Sequence, residues 1–350
     1  MAKTFITGLV VGKFAPLHKG HQLVIDRAQE LCEHVVLVSY CKPELPGCEP
    51  ERREEWLAAC FPAATRLVLT DERLANWLPG DGARPSVPAN LAADEVHRDF
   101  VAMLCERILK RRIDAVFTSE AYGPGFAAHL TRRFRRADCG AGDVAHVMVD
   151  PGRRQVPISA SQLRLELLRH WQYLPAPVAQ SLVRRVAILG GESSGKSVLA
   201  AALAAELGSE CVSEYGRELW DAKGGALEYE DMSKIAREQI RREEEAVARA
   251  RGFVVCDTTP LTTLFYSVEM FGRAEPELVR LAARRYADVI LCAPDFPFVQ
   301  DGTRRDDAFR ERQHRWYQAE LAARGIPYRL TRGSLGERVG DLREYLLRRQ

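Results

Sequence analysis

At 350 residues, 46% of them hydrophobic, the chain is long enough for about two domains and apolar enough to bury sizeable cores, which excludes a disordered protein. Its 50 basic and 48 acidic residues leave a net charge of +2, which removes any bulk electrostatic case for a nucleic-acid partner or an anionic membrane. Nine cysteines, without a C-x-x-C pair or zinc-like His/Cys spacing, read as buried thiols of a reducing compartment; with no signal peptide or membrane-length apolar run, the expected location is cytoplasmic, without membrane insertion.

Thr4 to Gly12 reads as a first strand, Lys13 to Gly20 as a loop and His21 to Cys32 as a helix. His34 to Tyr40 carries the unbroken apolar run Val35-Val36-Leu37-Val38 of a buried parallel strand. Glu49 to Cys60 is helical, Thr65 to Leu69 a strand, and Pro79 to Pro88 a loop by its glycine and proline breakers. A helix over Ala93 to Arg111, a strand over Ala115 to Phe117, a helix ending at Arg136 and a strand over His146 to Val149 complete the first half. A helical stretch from about Ser161 is closed by Pro175-Ala176-Pro177, which places a domain boundary near 175–184.

The second half repeats the alternation. Strands are expected at Arg185 to Leu189, Glu210 to Val212, Gly252 to Cys256, Val289 to Leu291 and Tyr328 to Leu330. Helices are expected at Val198 to Leu207, Leu227 to Ala250 and Leu261 to Phe271; after an arginine-rich loop at Asp295 to Asp307, two further helices flank the last strand. Glu243-Glu244-Glu245 beside Arg241-Arg242 reads as an exposed helix face with (i, i+4) pairing. Strands alternating with helices predict an α/β fold with two doubly wound parallel sheets.

The most specific stretch is Gly190-Gly191-Glu192-Ser193-Ser194-Gly195-Lys196-Ser197, a G-x-x-x-x-G-K-[ST] match between an apolar strand and an Ala/Leu-rich helix. In that context backbone N–H groups and a helix N-terminus hold phosphate oxygens, Lys196 reaches the terminal phosphates, and the Ser197 hydroxyl sits on Mg²⁺. Gly190, Gly191 and Gly195 let the loop curl. A Gly/Ser surface turn would not explain why Lys-Ser opens a helix directly after a strand.

The loop after the first strand, Gly12 to His21, carries a second phosphate signal. His18 and His21, three apart at a helix start, can both donate to phosphate, and Gly20 lets a ligand come close. In Pro157 to Arg164, Ser159 and Ser161 are N-cap candidates whose helix end is also an anion site, and Arg164 lies one turn in.

His18-Lys19-Gly20-His21 and Ile158-Ser159-Ala160-Ser161-Gln162-Leu163-Arg164 resemble the paired H-x-G-H and I-S-x-T-x-x-R signatures of the nucleotidyltransferase superfamily, with Ser161 in place of the threonine. With the glycine-loop half behind them, the chain resembles the bifunctional NadR-type family over nearly its full length; Ser213 to Glu218, Asp257 to Thr263 and Val299 to Arg304 agree. The family's N-terminal helix-turn-helix domain is not expected here, because the chain starts at the first strand. The segment Asp71 to Asn90 departs from the aromatic stretch associated with pyridine-ring binding in the family, with Trp77 as the substitute.

The resemblance implies a Rossmann-like nucleotidyltransferase domain over residues 1–180 and a P-loop nucleoside kinase domain over residues 181–350. It implies phosphorylation of ribosylnicotinamide by ATP and adenylyl transfer from ATP to nicotinamide mononucleotide, giving NAD and pyrophosphate, with Mg²⁺ as cofactor. His18 and His21 would contact the α- and β-phosphates; Lys13, Gly20, Ser159, Ser161 and Arg164 would line the polyphosphate. In the kinase half, Asp257, at the end of an apolar strand, would bind Mg²⁺ or act as base, a helix N-cap being the plain alternative. Arg304 and Arg305 would be lid arginines, and Glu214 and Arg217 would reach the acceptor, although Glu-x-x-Arg is also ordinary helix surface. The competing readings are a kinase with a scaffold first domain and a regulator that senses ATP or NAD. Oligomeric state is left open, a homo-oligomer included.

Overall fold

The computed structural model describes residues 2–79, 85–298 and 305–349. The chain divides into two compact units, Met1–Ala179 and Gln180–Gln350. The first runs β1 (Phe5–Gly12), α1 (Lys19–Leu31), β2 (Cys32–Tyr40), α2 (Pro50–Cys60), β3 (Thr65–Leu69), α3 (Asp71–Trp77), α4 (Asp94–Met103), β4 (Ala115–Thr118), α5 (Gly123–Ala137), β5 (Ala145–Met148) and α6 (Ala160–Leu165), and α7 (Ala176–Leu182) runs across the division. The second runs β6 (Arg184–Gly190), α8 (Lys196–Leu207), β7 (Glu210–Val212), α9 (Tyr215–Ala222), α10 (Tyr229–Arg249), β8 (Phe253–Asp257), α11 (Pro260–Phe271), α12 (Pro276–Leu281), β9 (Asp288–Cys292), α13 (Asp307–Ala323), β10 (Arg329–Thr331) and α14 (Leu335–Arg348).

Each unit is a parallel five-stranded sheet. The orders are β3-β2-β1-β4-β5 and β10-β9-β6-β8-β7. In both, the first strand of the unit is central, so the loop after it opens at the switch point where ligands of such sheets bind. Apolar runs such as Val35 to Val38 and Phe253 to Cys256 are fully buried because helices cover both faces. Over the first sheet, Leu9, Val36 and Val116 pack with Phe100, Leu104, Phe126 and Leu130 of the helical layer. Over the second, Ala187, Leu189 and Leu291 pack with Met232, Ile235, Leu264 and Tyr317. Among the described residues no helix is long and apolar enough to cross a membrane.

Several elements differ from the sequence expectation. The helix expected over Ala93 to Arg111 is regular only to Met103; Leu104–Leu109 widens into a π-type turn that ends at Lys110 in the left-handed region. Pro175-Ala176-Pro177 opens α7 instead of closing a helix, because a proline in the first turn forfeits no intrahelical hydrogen bond. The short helices α3, α9 and α12 were not anticipated. In α3 the start is fixed by the Thr70 hydroxyl, which accepts from Arg73 N at 3.1 Å, and α12 starts on Pro276.

The acidic triplet on α10 is not a uniformly exposed face. Glu243 is 0% exposed. Its carboxylate accepts from Arg284 Nε at 3.0 Å and from the Tyr286 hydroxyl at 2.8 Å. Burial pushes this carboxyl up to about 7, while Arg284 and the Tyr286 hydroxyl pull it back. The expected (i, i+4) pairing is present between Arg241 and Glu245, and Arg241 also joins Glu238 three residues before it. Glu243→Ala would leave the buried Tyr286 hydroxyl without its partner and Arg284 with Glu244 alone. We expect it to cost the second unit about 3 kcal/mol in urea denaturation, and an unchanged midpoint would contradict this packing.

Candidate active sites

The first site is built on the turn from β1 to α1. The β1–β2 register sets Gly12 opposite Ser39, and the Ser39 hydroxyl donates to the Lys13 carbonyl at 3.1 Å. Arg53 of α2, 0% exposed, donates to the same carbonyl at 3.1 Å, to Tyr40 O at 2.6 Å and to Cys48 O at 2.6 Å. Phe14 next to it takes a left-handed backbone, φ +49°, with its ring buried. This turn is therefore shaped from inside the protein.

His18 caps α1. Its Nδ1 accepts from Gly20 N at 3.1 Å, and His21 Nδ1 accepts from His18 N at 3.4 Å. A nitrogen that accepts from a backbone N–H carries no proton, so in the neutral rings both protons sit on Nε2. The rings stack with centroids 3.7 Å apart. Burial lowers the His18 pKa to about 4, helped by Arg153; burial, His18 and Arg153 hold His21 well below its ordinary value. The site thus presents two neutral N–H donors side by side. Gly20 has a use beyond ligand approach: a Cβ there would stand 2.9 Å from His18 Cε1.

α6 brings the second motif to this turn. The Ser159 hydroxyl accepts from Gln162 N at 3.2 Å, and Gln162 Oε1 accepts from Ser159 N at 2.9 Å, a closed capping box. Arg164 donates to the Ser161 hydroxyl at 3.1 Å and to the Ala15 carbonyl, which joins the two motifs. Lys13 Nζ reaches Asn90 Oδ1, and burial together with Arg164 and Arg53 lowers its pKa. Beside Lys13 lies a cavity of about 360 Å³, lined by Tyr40, Asn90, His97, Glu120 and Tyr122 among others. Sequence reasoning missed these residues, and Arg53 and Arg153 as well; Arg153 is 3.3 Å from Glu120. No local pattern marks them, because their partners are distant in the chain.

The second site is the loop between β6 and α8. Gly195 is the N-cap of α8 at φ +79°, and a Cβ on Gly190 would meet Ser194 Oγ at 2.7 Å and the Cys292 carbonyl at 3.0 Å. The Ser194 hydroxyl and Lys196 Nζ both donate to Gly191 O, at 2.7 and 3.0 Å. Arg338 of α14, 1% exposed, donates to Ser194 O at 3.0 Å and to Ala293 O at 3.2 Å. Glu192 accepts from the Tyr266 hydroxyl at 3.0 Å and from Arg305 N at 2.9 Å. Arg338, Tyr266 and Glu192 were not singled out from the sequence.

Parallel pairing sets Asp257 opposite Ile188, just below the loop. Its carboxylate is buried and bonded to the Ser197 side chain. Burial raises its pKa, while Ser197 and Lys196 pull it back. Among the described residues Asp257 Oδ1 has no partner. The N-cap of α11 is Thr259, whose hydroxyl accepts from Leu261 N at 3.2 Å, so Asp257 is not the cap. A buried carboxylate oxygen without a donor, bonded through its mate to the loop serine, fits a divalent cation.

Glu214 precedes α9 and makes no cap bond. Its pKa is raised by burial first; Asp257 and Glu192 add to this, and Lys196 and Arg217 oppose it. Arg217 lies over the Trp220 ring, 5.9 Å from its centroid, with Asp221 4.0 Å away. The Arg305 guanidinium lies over the Phe309 ring at 4.3 Å, and Arg304 lies outside the described residues.

The two sheets and their loops define a two-unit α/β protein with a stacked histidine pair after the central strand of one unit and a P-loop after the central strand of the other. Residues 185–338 match the AAA domain family. The chain is 30% identical over 318 residues to the trifunctional NAD biosynthesis/regulator protein NadR of Salmonella typhimurium, spanning 85% of this chain and 71% of that protein. It is 30% identical over 319 residues to the protein of the same name from Escherichia coli, with the same shares. A solved NadR protein in complex with NAD and AMP-PNP superposes with a TM-score of 0.66 at 21% identity, covering 99% of this chain and 98% of that one. A NadR protein in complex with NR gives 0.65 at 20% identity, covering 99% and 97%. At that identity the superpositions speak to the fold alone. The chain belongs to the NadR family.

The histidine geometry makes a direct prediction. In ¹⁵N-resolved spectra of the ligand-free protein, His18 should remain the neutral Nε2–H tautomer at pH 6 and titrate near pH 4. A midpoint near the ordinary 6.5 would contradict the buried pair.

Proposed function

We propose that the second unit phosphorylates ribosylnicotinamide with ATP and the first adenylylates the resulting nicotinamide mononucleotide, giving NAD and pyrophosphate. The observation that supports this reading is that each sheet carries a differently built loop at its switch point, with a stacked histidine pair in the first unit and a P-loop in the second. The names of its relatives, and the ligands NR, NAD and AMP-PNP bound in NadR structures, support it.

In the first unit the reaction is in-line attack by the mononucleotide phosphate on the α-phosphorus of ATP, with pyrophosphate leaving. The protein's work is positioning and charge stabilisation. His18 and His21 donate their Nε2–H groups to phosphate oxygens, and these bonds strengthen as negative charge develops. Lys13 and Arg164 supply the fixed positive charge, and Ser159 and Ser161 present the α6 N-terminus to the polyphosphate. Because the imidazoles are neutral, they donate without acting as acids.

In the second unit the γ-phosphate passes to the nucleoside 5′-hydroxyl. Lys196 leaves the Gly191 carbonyl for the phosphates, and the loop N–H groups cradle them. Ser197 and Asp257 are the residues to hold Mg²⁺, which when bound neutralises charge on the β- and γ-phosphate oxygens. That assigns Asp257 to the metal and leaves Glu214, with its raised pKa beside Lys196, as the base that takes the hydroxyl proton. Arg217 and Arg305, and Arg304 from outside the described residues, are then the cations for acceptor and transferred phosphate.

The two half-reactions should separate by mutation. Lys196→Ala should lower nucleoside phosphorylation about a thousandfold and leave adenylyl transfer intact, while His18→Ala should cost adenylyl transfer a hundredfold or more and spare phosphorylation. Equal loss of both activities in either folded variant would sink the two-site reading. Glu214→Gln should lower the phosphorylation kcat about a hundredfold at unchanged Mg²⁺ demand, whereas Asp257→Asn should raise the Mg²⁺ concentration needed; the reverse pattern would exchange the two roles.

A further inference from the structure

Of the stretch Ser213 to Glu218, the proposed chemistry uses Glu214 and Arg217. Tyr215 and Glu218 remain, and one residue of α10 holds both. The Arg242 guanidinium lies over the Tyr215 ring, 4.6 Å from its centroid. Its Nη1 and Nη2 donate to the two carboxylate oxygens of Glu218 at 2.6 and 2.8 Å, and its Nε donates to Glu238 Oε1 at 3.0 Å. A planar fork can stack on a ring and bond a carboxylate with two parallel N–H groups at once, which an ammonium group cannot do.

α9 depends on such contacts. It has eight residues and none of them is buried, although Tyr215 and Leu219 lean on the core. A helix this short is not stable by itself, so its place is set by what holds it from outside. Its first N–H groups receive no cap from Glu214, which stands at the N-cap position without a side-chain bond to them. Gln239 of α10, 2% exposed, supplies an acceptor instead, with its Oε1 3.0 Å from Tyr215 N. Gln239 and Arg242 are three apart and share one side of α10. α10 in turn is rooted in the core through Met232, Ile235 and Ala236. The start of α9 is therefore held by its neighbour, and the Glu214 carboxylate is spared from capping it.

We infer that Arg242 is a positioning residue of the phosphoryl transfer: by stacking on Tyr215 and forking onto Glu218 it fixes the first turn of α9, and so holds Glu214 where it takes the proton of the acceptor hydroxyl. This rests on the assignment of Glu214 as the base. A base works only within hydrogen-bond reach of the proton it removes, so a small displacement of the helix start lowers the rate. Arg242 is not itself catalytic, because its nitrogens are turned to Glu218 and Glu238.

The test uses the full chain with ATP, Mg²⁺ and ribosylnicotinamide. Arg242→Ala should lower the phosphorylation kcat about tenfold with KM for ATP unchanged, because a misplaced reacting group costs rate and not grip on the nucleotide. Arg242→Lys should restore little of this. Glu218→Gln, a second variant that leaves the ring contact in place, should give a smaller fall in the same direction. Arg242→Ala added to Glu214→Gln should lower kcat no further, because the group it positions is already gone. An unchanged kcat in Arg242→Ala, losses that multiply in the double variant, or a rise in KM for ATP as large as the fall in kcat overturns the inference and leaves the base assignment standing. An unchanged kcat in Glu214→Gln overturns both.

Discussion

A loop that turns its N–H groups towards an anion must turn its carbonyls somewhere else, and the loops after both central strands turn them onto side-chain donors, of which Ser39, Arg53, Ser194 and Arg338 are buried. In the first unit the carbonyls of Lys13 and Ala15 are taken by Arg53, Ser39 and Arg164. In the second, the carbonyls of Gly191 and Ser194 are taken by Ser194 Oγ, Lys196 and Arg338. Guanidinium groups suit this task because they remain charged at any accessible pH and offer several donors in a fixed plane. Each loop is thereby shaped before nucleotide arrives, so little of the binding free energy goes into ordering it.

The two loops then handle phosphate differently, and the difference follows from burial. The histidine pair is desolvated and sits near Arg153, so its rings stay neutral and act as oriented donors. Near the P-loop, Lys196 lies among the carboxylates of Asp257 and Glu214, whose pKa values burial raises. A phosphate-to-phosphate transfer requires no proton to be taken up. A hydroxyl acceptor must lose its proton, and the second site holds carboxylates of the right kind. The chemistry expected of each unit is thus written in the protonation of its side chains.

Much of this was legible in the sequence because the decisive patterns are local. The alternation of apolar strands with helices gave the two parallel sheets, and the strand–loop–helix context placed Lys196 and Ser197 at the start of α8. His18 and His21 lie three apart at a helix start, so their spacing alone implied that the two rings project the same way. What stayed hidden depends on contacts between residues far apart in sequence. Arg338 lies 144 residues from Ser194, and nothing around it in the chain distinguishes it from a surface helix arginine. Arg53 reads as part of a charged helix until its side chain is seen to run inwards. Glu243 misled for the same reason, since a charged triplet on a helix looks solvated until Arg284 and Tyr286 arrive from another element.

The central claim is that one chain carries two consecutive phosphate reactions on separate sites. The most direct measurement is a mass-resolved time course of the purified, unsubstituted protein with ATP, Mg²⁺ and ribosylnicotinamide. Nicotinamide mononucleotide should form first, and NAD and pyrophosphate should follow from it. Accumulation of mononucleotide without any NAD, or the absence of both products, would contradict that claim.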